Sequence, residues 1–278
     1  MALTHAVIPA AGLGTRLRPA TWAVPKELLP LAGRPVLQHV VEELATVGVT
    51  DVVLVSSAAK SMLAEHLAAV ADAIGVRVDV VLQPHPYGLG DAVRCAEGRC
   101  GDGPFVVALG DALVGAAVTR RLVQLVDDRG LDGAIALERI PPERSDRYGI
   151  AAVGADGLIT DLVEKPAPAD APSDLAVAAR YVLPPTVFTA LAALAADGVS
   201  RPPGAELQLT DAIAAVVRAG ARIAAVPLPD GTRRFDIGSH AGYVAAATAF
   251  ALAEPELAAA VRAEVAIDEA ERLGHRDG

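Results

Sequence analysis

Through its first 110 residues the chain alternates short β-branched runs with helix-like segments, and this order constrains the fold more than any other feature. The runs are Ala6 to Ile8, Val52 to Val55, Val78 to Leu82 and Phe105 to Leu109. Between them lie segments of helical period near Val36 to Val47, Ala59 to Ala73 and Leu89 to Gly98. Strands separated by single helices cannot pair as hairpins. They form parallel neighbours, and the helices cover both faces of the sheet. An apolar fraction of 53% with only 3% aromatics fits such a core, built from Val, Leu, Ile and Ala. Ligands of such sheets collect at the carboxyl ends of the strands, where the loop 9–19 must lie.

After residue 130 the pattern changes. Ala134 to Glu138, Gly149 to Val153, Leu158 to Val163 and Ala176 to Leu183 read as strands separated by turns such as Gly154-Ala155-Asp156-Gly157, which predicts a smaller antiparallel β portion. Helices are expected near Pro185 to Ala196 and Leu207 to Ala219, a strand at Ile223 to Val226, and a helical stretch over 239–273 interrupted at Pro255. The expected architecture is α/β, a Rossmann-like mixed, mainly parallel sheet with C-terminal helices. Its organisation is one α/β domain over 1–238, whose first half, to about residue 130, is expected to hold a nucleotide and whose second half, 131–238, something else, followed by a helical segment at 239–278.

Acidic residues exceed basic ones, 34 to 24, and Lys and Arg form no stripe, which argues against a nucleic-acid surface. Cys95 and Cys100 lack partners at zinc spacing and read as reduced thiols. The start, MALTHAVIP, does not read as a signal peptide, and Tyr243 to Ala253 is too short to span a bilayer. A cytoplasmic protein with no membrane partner is expected.

The loop after the first run holds Gly12, Gly14 and Arg16. Glycine lets backbone N–H groups close around phosphate oxygens, and an arginine adds a charged fork. Leu17 stands where a dinucleotide fingerprint needs its third glycine, which disfavours a dehydrogenase. A tight turn with no ligand remains the plain alternative. Nearly every other cation is arginine; the lysines are Lys26, Lys60 and Lys165. Lys60 reads as a solvated helix residue. Lys26 follows Pro25 and Lys165 precedes Pro166, so both sit on restricted backbone and offer compact ammonium groups suited to phosphates. Asp111 follows an apolar strand and Asp236 precedes a helix start, and two converging carboxylates suffice for a magnesium ion that shares phosphate oxygens.

With these residues assembled, the chain resembles the sugar-1-phosphate nucleotidyltransferases, and most closely the branch of bacterial UTP:glucose-1-phosphate uridylyltransferases. The stretches that carry the resemblance are AGLGTRLRPATWAVPKELLPL (11–31), QPHPYGLGDAV (83–93), LGDALV (109–114), RYGI (147–150), VEKP (163–166), ARYVL (179–183), ELQLTDAI (206–213) and FDIGSHAGY (235–243). They span most of the chain. The resemblance implies a nucleotide-diphospho-sugar transferase fold and transfer of a nucleotidyl group from a nucleoside triphosphate, UTP by default, to a sugar-1-phosphate, glucose-1-phosphate by default.

It implies roles as well. Ala11 and Gly12, with Gln83 and Gly88, recognise the base, the Gln83 amide offering a donor and an acceptor. Gly14, Thr15, Arg16 and Lys26 contact the triphosphate, and Asp111 and Asp236 bind Mg²⁺. Gly149, Glu164 and Arg180 serve the sugar, and Lys165 its phosphate. A homo-oligomer is expected. The alternatives are a thymidylyltransferase or an enzyme for a modified hexose phosphate and, in another class, a nucleotide-sugar sensor without turnover. Three departures from the branch bear on specificity: Ala179 replaces a glycine, Asp91 replaces the histidine of GLGHA, and the region from Ser56 to Gln83 is short.

Overall fold

The computed structural model describes residues 3–196 and 205–274. The strands of the first half are β1 (His5–Pro9), β2 (Pro30–Leu31), β3 (Arg34–Pro35), β4 (Asp51–Ser56), β5 (Arg77–Leu82), β6 (Phe105–Ala108) and β7 (Ala112–Leu113). Those of the second are β8 (Gly133–Arg139), β9 (Gly149–Val153), β10 (Ile159–Glu164), β11 (Leu175–Leu183), β12 (Ile223–Pro227) and β13 (Phe235–Asp236). The first helices are α1 (Ala20–Ala23), α2 (Val36–Ala45), α3 (Ser61–Ile74), α4 (Leu89–Arg94) and α5 (Ala116–Arg129). The later ones are α6 (Thr186–Ala196), α7 (Leu209–Arg218), α8 (His240–Ala253) and α9 (Pro255–Gly274). Residues 1–2 of the N-terminal reading and 275–278 of the C-terminal helical segment lie outside the described residues.

One nine-stranded mixed sheet runs through both halves in the order β10-β9-β11-β6-β1-β4-β5, with β8 on β11 and β12 on β8. β6, β1, β4 and β5 are parallel, and β11 enters antiparallel to β6, so the expected antiparallel portion is a continuation of the same sheet. Alternation along each strand builds two cores. Ala6 and Ile8, Val52 and Leu54, and Val106 and Ala108 face α2, α3, α5 and α8; Val7, Val53, Val55, Phe105 and Val107 face α4, α6 and α7. Helix α5, not assigned above, carries Val118, Leu122 and Val126 at a four-residue interval, and all three are buried. The two-residue ribbon of β7 and β13 joins the chain just after β6 to the segment before α8. Among the described residues no single helix is long and apolar enough to cross a membrane.

Arg180 on β11 is fully buried. Its Nε and Nη2 donate to the two carboxylate oxygens of Glu43 on α2 at 2.8 and 3.1 Å, its Nη1 to the Ala179 carbonyl at 3.0 Å and its Nη2 to that of Ala112 at 2.9 Å. Thr119 on α5 also donates to Glu43 Oε1, at 2.5 Å. Breaking one member of such a pair leaves a buried charge without a partner. Arg180→Met is therefore expected to lower stability by about 3–5 kcal/mol in urea unfolding, and Arg180→Met with Glu43→Leu to recover much of that loss. Single and double variants of equal stability would contradict this.

Candidate nucleotide and sugar phosphate site

β1 ends at Pro9, and Ala10 N–H still bonds the Val55 carbonyl at 2.8 Å. Beyond it, the backbone N–H groups of Ala11, Gly12, Leu13 and Gly14 meet no acceptor among the described residues. Such a run of open donors at a strand end is an anion cup. Gly14 shapes it: its φ is 63°, and its carbonyl accepts the Thr21 hydroxyl at 2.8 Å. A side chain there would meet Thr21 at 3.2 Å and the Lys26 stem at 3.6 Å, so the cup and the Lys26 ammonium are neighbours.

Lys26 Nζ donates to Asp111 Oδ2. Burial alone would lower the pKa of this ammonium, but Asp111, with Glu27 and Asp236, holds it above its ordinary value. Burial likewise pushes the Asp111 carboxyl up, and Lys26 outweighs it, so the group ends below the ordinary aspartate value. Asp236 is brought alongside by the ribbon. It pairs with Ala112, and Ile237 N–H bonds the Asp111 carbonyl at 3.1 Å. Asp236 Oδ1 accepts the Gly238 N–H at 2.8 Å, and a methyl on Gly238 would meet both that oxygen, at 2.8 Å, and Arg16 Nη2, at 3.0 Å. Arg16, Lys26, Asp111 and Asp236 thus converge, although they come from three separate stretches of the chain. Among the described residues no third His, Cys, Asp or Glu joins the two aspartates in a metal-binding group.

Lys60 is not solvated as its sequence suggests. It is buried, and its Nζ donates to both carboxylate oxygens of Glu27 at 2.9 Å and to the Ala10 carbonyl at 2.7 Å. Desolvation lowers its pKa and raises that of Glu27, while each partner opposes the other's shift. This pair joins the end of β1 to the turn that carries Lys26. The scarcity of lysine was a signal that Lys60 is also special, but its place beside a helix start concealed its partner 33 residues away.

In the base region, Gln83 is anchored by its N–H to the Ser56 carbonyl at 2.8 Å. Its side-chain Nε2 donates to Asp91 Oδ2 at 2.8 Å and approaches the Gly88 carbonyl at 3.3 Å. Gly88 has φ 101° and packs so tightly that a side chain would come within 2.7 Å of the Leu207 carbonyl. Leu207 N–H bonds Tyr87 O at 2.6 Å and its own carbonyl accepts Gly90 N–H at 2.8 Å, so the 87–90 loop is pinned from across the fold.

The sugar-side residues stand on the same sheet edge. Arg180 of β11 faces Ala108 at the end of β6, and four residues back Ala176 faces Ile150 of β9. Gly149 and Glu164 form the adjoining cross-strand pair, which places them beyond the carboxyl end of β6, as Asp111 is. Glu164 Oε2 accepts the Thr210 hydroxyl at 2.7 Å, and a methyl on Gly149 would strike that hydroxyl at 2.8 Å. Thr210, in the ELQLTDAI stretch, is a residue the sequence reading did not single out. Lys165, half-exposed, lies 3.2 Å from Glu164 Oε1 and has φ 46°, a left-handed backbone that a lysine rarely adopts. Arg180 does not join them: its buried donors are committed to Glu43 and two carbonyls, so its expected sugar contact is replaced by a structural one. Ala179 keeps the left-handed backbone natural to glycine, φ 61°, and is buried.

The chain is similar to two named uridylyltransferases in sequence and to a solved structure in fold. UTP-glucose-1-phosphate uridylyltransferase YngB of Bacillus subtilis is 37% identical over 278 residues, 91% of each chain. The UTP-glucose-1-phosphate uridylyltransferase of Streptococcus pneumoniae is 37% identical over 281 residues, again 91% of each. A UTP-bound UDP-glucose pyrophosphorylase structure from Acinetobacter baumannii superposes with a TM-score of 0.78 at 31% identity, covering 95% of this chain and 98% of that one. The nucleotidyl transferase family model matches residues 5–252, and with it the chain belongs to the nucleotidyl transferase family.

Proposed function

We propose that this protein transfers the uridylyl group of UTP to glucose-1-phosphate, releasing pyrophosphate and UDP-glucose. The observation that carries the reading is the meeting of the Gly14 cup, the Lys26 ammonium and the Asp111–Asp236 pair at the strand ends. Relatives named for this reaction, at 37% identity over nearly the whole chain, support the choice of substrates.

In this reaction an oxygen of the sugar phosphate attacks the α-phosphorus in line, and the bond to the pyrophosphate oxygen breaks as the new one forms. Both reactants are polyanions, so the barrier is chiefly electrostatic and the chain needs fixed cations more than a nucleophile or base. The backbone N–H groups of residues 11–14 and the Arg16 guanidinium would hold the triphosphate. Lys26 would neutralise charge at the point of crossing. Lys165 would hold the incoming phosphate, with Glu164 and Thr210, packed against Gly149, orienting sugar hydroxyls. Asp111 and Asp236 would hold Mg²⁺ through their hard carboxylate oxygens. When bound, the ion would supply charge neutralisation between the phosphates.

Pyrophosphate release from UTP and glucose-1-phosphate with Mg²⁺ tests the reading, and binding of both without release would overturn it. Lys26→Ala is expected to reduce kcat/KM by about 100- to 1000-fold with the circular dichroism spectrum retained. Asp111→Asn should need at least about tenfold more Mg²⁺ for half-maximal rate, and an unchanged requirement would remove that residue from the ion. The Lys26–Asp111 pair also sets a pH window. Asp111 titrates below its ordinary 3.8 and Lys26 above its ordinary 10.5, so the stability they confer is full between those values. It is lost in acid as Asp111 protonates, and in strong base as Lys26 deprotonates. The melting temperature of Lys26→Met should therefore lie below that of the natural protein from about pH 5 to 9 and approach it below about pH 4.

A further inference from the structure

Gln83 and Asp91 lie buried together where the resemblance places the base, and their contacts decide which face of the amide is free. Asp91 is a carboxylate whose Oδ1 accepts Arg94 Nη2 at 2.7 Å; paired with a guanidinium, it can accept hydrogen bonds and cannot donate them. The Gln83 atom against its Oδ2, at 2.8 Å, must therefore be the NH₂ group, which fixes the amide orientation by chemistry. The second amide hydrogen is directed to the Gly88 carbonyl at 3.3 Å. Both donors are spent within the protein, and Oε1 has no partner among the described residues.

We infer that Asp91 is a positioning residue that locks the Gln83 amide with its oxygen towards the nucleotide. The site therefore selects a pyrimidine whose ring N3 carries a hydrogen, uracil or thymine, and rejects cytosine, whose N3 carries a lone pair. Two oxygen and nitrogen lone pairs facing each other in a buried site repel and leave both acceptors unsatisfied. The expectation that Gln83 offers the base both a donor and an acceptor is corrected by this geometry. The amide is held by Asp91 and the Gly88 carbonyl, and the backbone around them is tethered, Gln83 N–H to Ser56 and the 87–90 loop to Leu207. A histidine at position 91, as in the GLGHA segment, could donate or accept and would leave the amide free to turn. The replacement by Asp91 removes that freedom.

The inference rests on the uridylyl-transfer reading only for the placement of the base, and its test is equilibrium binding, so the two can fail separately. Titration calorimetry of the full chain with UTP, CTP and N3-methyl-UTP is expected to show UTP binding at least about 100-fold more tightly than either of the others. Asp91→Asn and Asp91→His, which can present a donor or an acceptor to Gln83, should reduce the UTP-to-CTP ratio by at least about tenfold. In turnover the change should appear mainly in the KM for the triphosphate. A purely structural role for Asp91 would weaken all three nucleotides in common and leave the ratio intact. The inference is overturned if the natural protein binds CTP or N3-methyl-UTP as tightly as UTP, or if either folded variant keeps the original ratio. Pyrophosphate release that never occurs, together with the expected binding ratios, would remove the transfer reading and leave this one standing.

Discussion

A buried ammonium holds the site together. Lys60 meets three oxygens at once, two from Glu27 and one from Ala10, and these belong to the two segments that must stay in register for an anion cup to sit beside Lys26. Charges are costly to bury, and in this pair the three ammonium protons each find an acceptor. Its specificity lies in geometry more than in stability. Glu27 is the neighbour of Lys26, whose ammonium reaches Asp111.

The same division of labour explains which cation stands where. Arg180 is used as a planar fork that satisfies a carboxylate and two carbonyls deep in the core, a task that suits five rigid donors. The lysines are reserved for positions where a compact charge must fit among oxygens. Two of them, Lys26 and Lys165, meet the carboxylates of Asp111 and Glu164, and the third is buried against Glu27. Lys165 holds left-handed backbone, a strained conformation of the kind that clusters at functional sites.

Much of this was legible in the order of residues. The alternation of apolar runs with helical segments gave the parallel strands, and the strand-to-loop steps at Pro9 and Asp111 located the working edge of the sheet. What was hidden depended on contacts between distant stretches. The Lys60–Glu27 pair spans 33 residues and the Arg180–Glu43 pair spans 137, and neither leaves a local pattern. Arginine in a motif shared with nucleotide-binding relatives reads as a ligand contact until burial shows that its donors are occupied. Thr210 was obscured in the same way, because a threonine near a helix start has an ordinary explanation as an end-capping residue. Helix α5 escaped notice although its apolar spacing was regular, because it lies between the two halves into which the composition divides the chain.

Ala179 links the sugar side of the cleft to the opposite side of the molecule. Its left-handed backbone falls where β11 slips register against β8, and its carbonyl is held by Leu109 N–H at 3.3 Å and by Arg180. A glycine would rest there unaided, whereas an alanine needs those restraints, and Arg180 is itself held by Glu43 on α2. The register shift of β11 is thus fastened from helix α2 through Arg180. Loosening of α2 at Glu43 would therefore release Arg180 and, through it, both the Ala179 backbone and the Ala112 carbonyl beside Asp111.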